Sequence, residues 1–214
     1  KVLRGYPDIA NPESEFYVGE QGWREIVQAY AGSVSFIDDQ IGRLIDGLAA
    51  SPYAENTVIV VFSDHGYHLG NKNIFTKHNL WDRSTQVPLF FAGPGVPKGR
   101  MIDTQVELVD VYPTLIDLAG LPPNPMNDGD DLSPLMKNPD MTWDKPARSF
   151  HSRNWQQAVI MGDWRYIEYA DHYRQWELYN TENDPYERHN LAGDPQFQGT
   201  LEAMRALKLP LEKE

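Results

Sequence analysis

Between Gly22 and Ala49 the apolar residues Trp23, Ile26, Val27, Tyr30, Val34, Ile37, Ile41, Leu44, Ile45 and Leu48 recur at steps of three and four. A helix of 3.6 residues per turn gathers such positions on one stripe, so the period predicts a long amphipathic helix. Ser51-Pro52 ends it, because a residue before proline is pushed out of the helical region. The next run differs in kind. Thr57-Val58-Ile59-Val60-Val61-Phe62 is unbroken and β-branched, which predicts a strand buried on both faces of a parallel sheet. Val87 to Ala92 predicts another short strand, closed by the turn Gly93-Pro94-Gly95. Val106 to Leu118 predicts a helix with Asp110 capping its start and Pro113 in its first turn, where a missing N–H costs little.

The pattern then changes. Pro122 to Pro146 is rich in Pro, Asn and Asp and predicts a linker over the surface, with a boundary near residue 146. Beyond it, Ala158 to Met161, Arg165 to Tyr169 and Trp176 to Tyr179 alternate with turn residues and predict a small antiparallel sheet. Leu201, Met204 and Leu207 then stand at helical spacing within an expected closing helix, Phe197 to Leu209. Alternating helix and strand before residue 146 and antiparallel strands after it define an α/β chain in two parts, 1–145 and 146–214. The first twenty residues, with Pro7, Pro12 and Gly19, read as an extended loop.

Charge narrows the chemistry. A net charge of -12 argues against a nucleic-acid partner, whose binding rests on clustered Lys and Arg. No apolar run reaches the roughly 20 residues needed to cross a bilayer, so no membrane span is expected. The chain has no cysteine, which removes disulfides, zinc-thiolate sites and cysteine nucleophiles from it. It opens on Lys1 without a leader-like stretch, so a processed product or a piece of a longer protein is expected.

Two clusters carry candidate chemistry. Ser63-Asp64-His65-Gly66 follows the β-branched strand directly, and in open α/β sheets ligands bind beyond the carboxyl ends of strands. A turn aided by Gly66 would let Asp64 and His65 converge on one metal ion, although a turn cap and a satisfied polar histidine would read the same way. The second cluster is Lys77-His78-Asn79-Leu80-Trp81-Asp82-Arg83, with His68 and Gly70 before it. Beside a divalent ion it could hold a tetrahedral dianion, with Lys77 as point charge and His68 or His78 as proton donor. A solvated loop whose Lys77 and Arg83 pair with nearby acids is the alternative.

Taken together these motifs resemble the type I sulfatases of the alkaline phosphatase superfamily, with the iduronate 2-sulfatase-like members close in this stretch. Ser63-Asp64-His65-Gly66, His68-Leu69-Gly70, Lys77 and Val87-Pro88-Leu89 follow the family's order and spacing. The flanks agree: Tyr30 to Leu48, Val109-Asp110-Val111-Tyr112-Pro113-Thr114-Leu115, Glu177-Leu178-Tyr179-Asn180, Asp184-Pro185 and Asn190-Leu191 all have family counterparts. The resemblance implies the C-terminal part of an alkaline-phosphatase-like core, completed by an antiparallel subdomain with a helix.

It also implies roles. Asp64 and His65 would ligate one Ca2+, Lys77 would contact the sulfate, and His68 would line the pocket as a catalytic group. His78, Arg83, His151, Arg153 and Trp155 are candidates for sugar binding. The family's nucleophile is a formylglycine made within a Cys/Ser-x-Pro-x-Arg motif, and its remaining metal ligands include a paired Asp. The nucleophile motif does not occur here, nor does the metal-ligating Asp pair that the family carries in its N-terminal half. The N-terminal portion of the same sulfatase is therefore the expected partner, and a sulfated sugar, uronate-type above all, the expected substrate. The family's periplasmic, secreted and lysosomal settings all remain open. A phosphonate or phosphodiester hydrolase of the same superfamily is the enzymatic alternative, and a non-catalytic binding fragment the other.

Two departures from the family pattern bear on the loop and the metal. Asn71 and Asn73 stand where Glu and Gly are frequent, and calcium prefers oxygen to the nitrogen of His65. Asp38-Asp39 sit on different helix faces and Asp128-Gly129-Asp130-Asp131 lacks an EF-hand's later Glu, so neither is taken as a site.

Overall fold

The computed structural model describes residues 19–151, 156–169 and 175–210. Helix α1 (Gly19–Ala49) leads into strand β1 (Ile59–Phe62), a long loop, the short helix α2 (Asp82–Thr85) and strand β2 (Leu89–Ala92). Helices α3 (Val111–Leu118) and α4 (Ser133–Lys137) follow. Strands β3 (Ala147–His151), β4 (Gln156–Met161), β5 (Trp164–Tyr169) and β6 (Gln175–Asn180) then form an antiparallel meander, and α5 (Gln198–Ala206) closes the described chain.

The long helix extends three residues earlier than its apolar period predicts, yet none of its residues is buried. Trp23 meets Phe75 edge-on at 5.1 Å and Tyr30 stacks on Tyr67 at 5.7 Å, so its first half rests on the loop after β1. Farther along, Val34, Phe36, Ile37, Leu44 and Ile45 are exposed. Helix propensity alone does not explain an apolar stripe of that length.

The β-branched strand forms where its residues predict, but its setting differs. β1 pairs with β2 antiparallel, Ile59 opposite Ala92 and Phe62 opposite Leu89, and the two make a sheet of their own among the described residues. Its residues are partly exposed, and Phe62 and Phe90 stand open. An apolar run specifies burial of a strand and leaves the direction of its neighbours undetermined, and among the described residues β1 has no parallel neighbour.

The predicted linker is only partly one. Leu132, Ser133, Leu135 and Met136 are buried in and around α4, so this stretch packs inward. The Thr114 hydroxyl donates to the Asp110 carbonyl at 2.6 Å and accepts from Leu132 N–H at 2.9 Å, which ties α4 to α3. Asp110 does not cap α3 through its side chain. Its carboxylate accepts from Glu107 N–H and Asp130 N–H, fastening the chain before α3 to the turn at 128–131.

The C-terminal sheet separates its two faces by the period of two. Val159, Tyr166 and Leu178 lie opposite one another on neighbouring strands and pack with Leu201 and Met204 of α5. Ala158, Ile167 and Tyr179 occupy the other face and receive Leu80 from the loop after β1. Arg165 lies one residue from Tyr166, so it shares that second face and reaches the same loop. The sheet therefore has one face for its own helix and one for the candidate site.

Candidate metal and anion site

Ser63 turns the chain at the end of β1, its hydroxyl donating to the His65 carbonyl at 2.8 Å. Gly66 allows that turn to sit against the α2 segment. Its N–H donates to the Ser84 carbonyl at 2.9 Å, and a Cβ there would stand 2.2 Å from the Arg83 carbonyl oxygen. Gly70 is required for another reason: its φ is 103° and a Cβ would meet the Trp23 ring at 1.7 Å. The Asn residues at 71 and 73 fit a bent loop, for Asn73 adopts a φ of 59° and asparagine tolerates that region.

These turns bring the key groups together. Asp64, His65, Lys77 and His78 line one large cavity of about 1630 Å³, whose far wall includes His151 of β3. His65 Nδ1 lies 2.9 Å from the Gly66 carbonyl, which can only accept, so the ring proton sits on Nδ1 and the lone pair on Nε2. That lone pair faces the Lys77 ammonium at 2.5 Å. The Asp64 carboxylate is 3.5 Å from the same Nε2.

The spacing suits a shared ion. Two ligands each about 2.4 Å from one cation and at right angles stand about 3.4 Å apart. Asp64 Oδ1 and His65 Nε2 thus fit two corners of one coordination shell. Among the described residues no group of three or more carboxylates, imidazoles or thiolates is placed to hold a metal.

Other predicted residues are placed differently. His68 is 1% exposed and is not part of the cavity wall. Its Nε2 bonds the Asn79 side chain at 3.2 Å, its ring meets Trp81 edge-on, and burial holds its pKa below the ordinary histidine value. The ring is thus packed against Asn79 and Trp81, and the structure does not bring it into the cavity with Asp64, His65 and Lys77. Arg83 is exposed and lies over the Tyr186 ring, its guanidinium carbon 5.7 Å from the centroid, also outside the wall. His78 and His151 do meet, with ring centroids 6.1 Å apart, one from the loop and one from the C-terminal sheet. Arg153 and Trp155 lie outside the described residues.

Sequence reasoning passed over the groups that hold the loop in place. Arg165, nearly fully buried, donates to the Leu80 carbonyl, the Thr85 hydroxyl and the Asp82 carboxylate at 3.2, 2.8 and 2.7 Å. Its Nε lies 2.8 Å from Glu187 Oε1, an ion-pair contact in which the N–H is not aimed for a hydrogen bond. Trp81 Nε1–H donates to Glu177 at 2.7 Å. The only signal for Glu187 is its place in the turn after Asp184-Pro185, which by itself reads as a surface feature.

With this geometry in hand, comparison with known proteins assigns the class. The sulfatase family model matches residues 5–121, and a model for the C-terminal region of N-sulphoglucosamine sulphohydrolase matches 70–213. The chain belongs to the sulfatase family, in the type I branch with the alkaline-phosphatase-like fold. It is 42% identical over 196 residues to a sulfatase of Formosa agariphila, matching 92% of this chain and 38% of that protein. It is 30% identical to a Δ4,5-hexuronate-2-O-sulfatase of Bacteroides thetaiotaomicron over 88% of this chain and 41% of the relative. A solved 2-O GAG sulfatase superposes with a TM-score of 0.78 at 28% identity, covering 89% of this chain and 43% of that one. The chain thus spans about two fifths of the length of these relatives.

Proposed function

We propose that the protein is a sulfuric ester hydrolase acting on sulfated carbohydrate, with a uronate-type 2-O-sulfate as preferred substrate, and that this chain supplies part of its metal and sulfate site. The observation that carries the reading is the convergence of Asp64, His65 and Lys77 on one cavity. The uronate preference draws on the relative named for hexuronate 2-O-sulfate.

In this reading Asp64 and His65 Nε2 hold a calcium ion, which when bound polarises the sulfuryl oxygens. Calcium takes six to eight ligands, so the remainder, together with the formylglycine nucleophile, would come from the N-terminal portion of the same sulfatase. The open stripe on α1 and the exposed Phe62 and Phe90 of the β1–β2 ribbon give that portion an apolar surface to cover. Lys77 holds positive charge beside the ion, where negative charge grows on the sulfate as its ester bond stretches. His65 Nε2 can serve either Lys77 or a metal ion. With His65 Nε2 given to a metal ion, the Lys77 ammonium would be left to face the anion. His78 and His151 stand at the cavity wall as donors to sugar hydroxyls.

A direct comparison of rates tests this. The intact enzyme is expected to release sulfate from a 2-O-sulfated hexuronide at least about 100-fold faster, in kcat/KM, than it cleaves a matched phosphodiester, a gap of about 2.7 kcal/mol in transition-state binding. Turnover of the phosphodiester alone would place the protein with the phosphonate and phosphodiester hydrolases instead.

A further inference from the structure

We infer that Glu187, with Lys72 as its counterpart, is a positioning residue that staples both ends of the loop carrying Lys77. The inference rests on the reading of Lys77 as the sulfate contact. Glu187 grips the loop twice. Its backbone carbonyl accepts from the Lys72 ammonium at one end, and its Oε2 accepts from Asp82 N–H at 2.9 Å at the other. Lys77 stands midway between those two residues. Between the grips, His68 N–H bonds the Thr76 carbonyl at 3.0 Å and the Asn79 side chain accepts from Trp81 N–H at 3.1 Å. The loop is thereby fixed on either side of Lys77 and His78, which project into the cavity.

Backbone conformation marks the same contact. Among the described residues the non-glycine positions with positive φ are Lys72 at 57°, Asn73 at 59° and Glu187 at 53°. Lys72 and Glu187, which have no short polar side chain to ease that conformation, touch each other. Such conformations persist only where the surroundings over-determine them, and they concentrate at functional sites. The surroundings here are firm: Glu187 is 2% exposed, and the Lys72 ammonium lies 4.5 Å from the Trp81 ring centroid and 5.0 Å from that of Tyr179. An aromatic cradle holds the cation while the C-terminal sheet, through Arg165, holds the carboxylate. The placement of the sulfate-facing Lys77 is thus delegated to residues from the far end of the chain.

The test uses the intact enzyme carrying Lys72→Met, which keeps the apolar stem in its cradle and removes the bond to Glu187, and Glu187→Gln as a second variant. Lys72→Met is expected to lower kcat about 10- to 50-fold with KM changed by less than about threefold, and Lys72→Arg to recover most of the rate. In a Lys77→Ala background Lys72→Met should cost less than about twofold further, because the staple acts through Lys77. Equal losses in both backgrounds would overturn the inference. Hydrogen exchange provides a readout independent of substrate. Amides from 73 to 81 should exchange at least about tenfold faster in Lys72→Met while those of β4 and β5 stay unchanged. Unaltered exchange across the loop would overturn the staple even in an active sulfatase. A protein inactive on sulfate esters, with the loop loosened as expected, would contradict the functional reading alone.

Discussion

Lys77→Ala is expected to lower kcat/KM for a sulfate ester by about 10²- to 10³-fold, the usual cost of removing one preorganised donor from developing charge. The fold should survive. Lys77 is only half-buried, and its short contact is with His65 Nε2, so no buried partner is left behind. A cation in such a setting contributes little to stability, and thermal unfolding of the variant should match that of the parent. Steady-state rates on one sulfate ester, with melting curves for both proteins, give the answer. An unchanged rate would remove Lys77 from the site.

Arg165→Met is expected to have the opposite profile, with its first effect on stability. The guanidinium is 4% exposed and faces two acids, Asp82 at 2.7 Å and Glu187 at 2.8 Å. Removing it leaves carboxylates in a dry setting, and breaking a buried pair in this way costs about 3–5 kcal/mol. Burial already raises the Glu187 pKa above the usual carboxylate value, and Arg165 is the main influence pulling it down. Without Arg165 the folded state would hold its proton to still higher pH than the unfolded chain does. In the window above the unfolded carboxylate pKa the native state then binds more protons, so stability falls as pH rises. Denaturant unfolding should accordingly show a larger loss at pH 8 than at pH 5. A loss below about 1 kcal/mol, or one independent of pH, would show that the pair is not what holds this face of the sheet.

The parts of this molecule that the sequence made legible are those where a local pattern and its physical cause coincide. The long helix, the β-branched strand, the meander after residue 146 and the closing helix each follow from a period that the backbone must satisfy. The turn at Ser63 to Gly66 was legible too, because a strand end, an acid, an imidazole and a glycine stand in immediate succession. What stayed hidden depends on who meets whom. β1 reads as a strand in either sheet direction, and only β2's register settles its pairing as antiparallel. His68 has the composition of a pocket residue. The loop's curvature turns it inward onto Asn79, a fact of tertiary packing. Arg165 looks like an exposed charge within an aromatic strand, yet the period of two puts it on the face that Leu80 covers. Glu187 reads from its turn after Asp184-Pro185 as a surface residue, since its contacts with Lys72, Asp82 and Arg165 join segments far apart in the chain.

The most direct measurement is anomalous diffraction from crystals of the intact protein grown with calcium and inorganic sulfate. A single cation peak should lie about 2.3–2.6 Å from Asp64 Oδ1, with His65 Nε2 in the same shell and the Lys77 ammonium swung within about 3 Å of a sulfate oxygen. Calcium and sulfate bound elsewhere, with Lys77 still against His65, would contradict it.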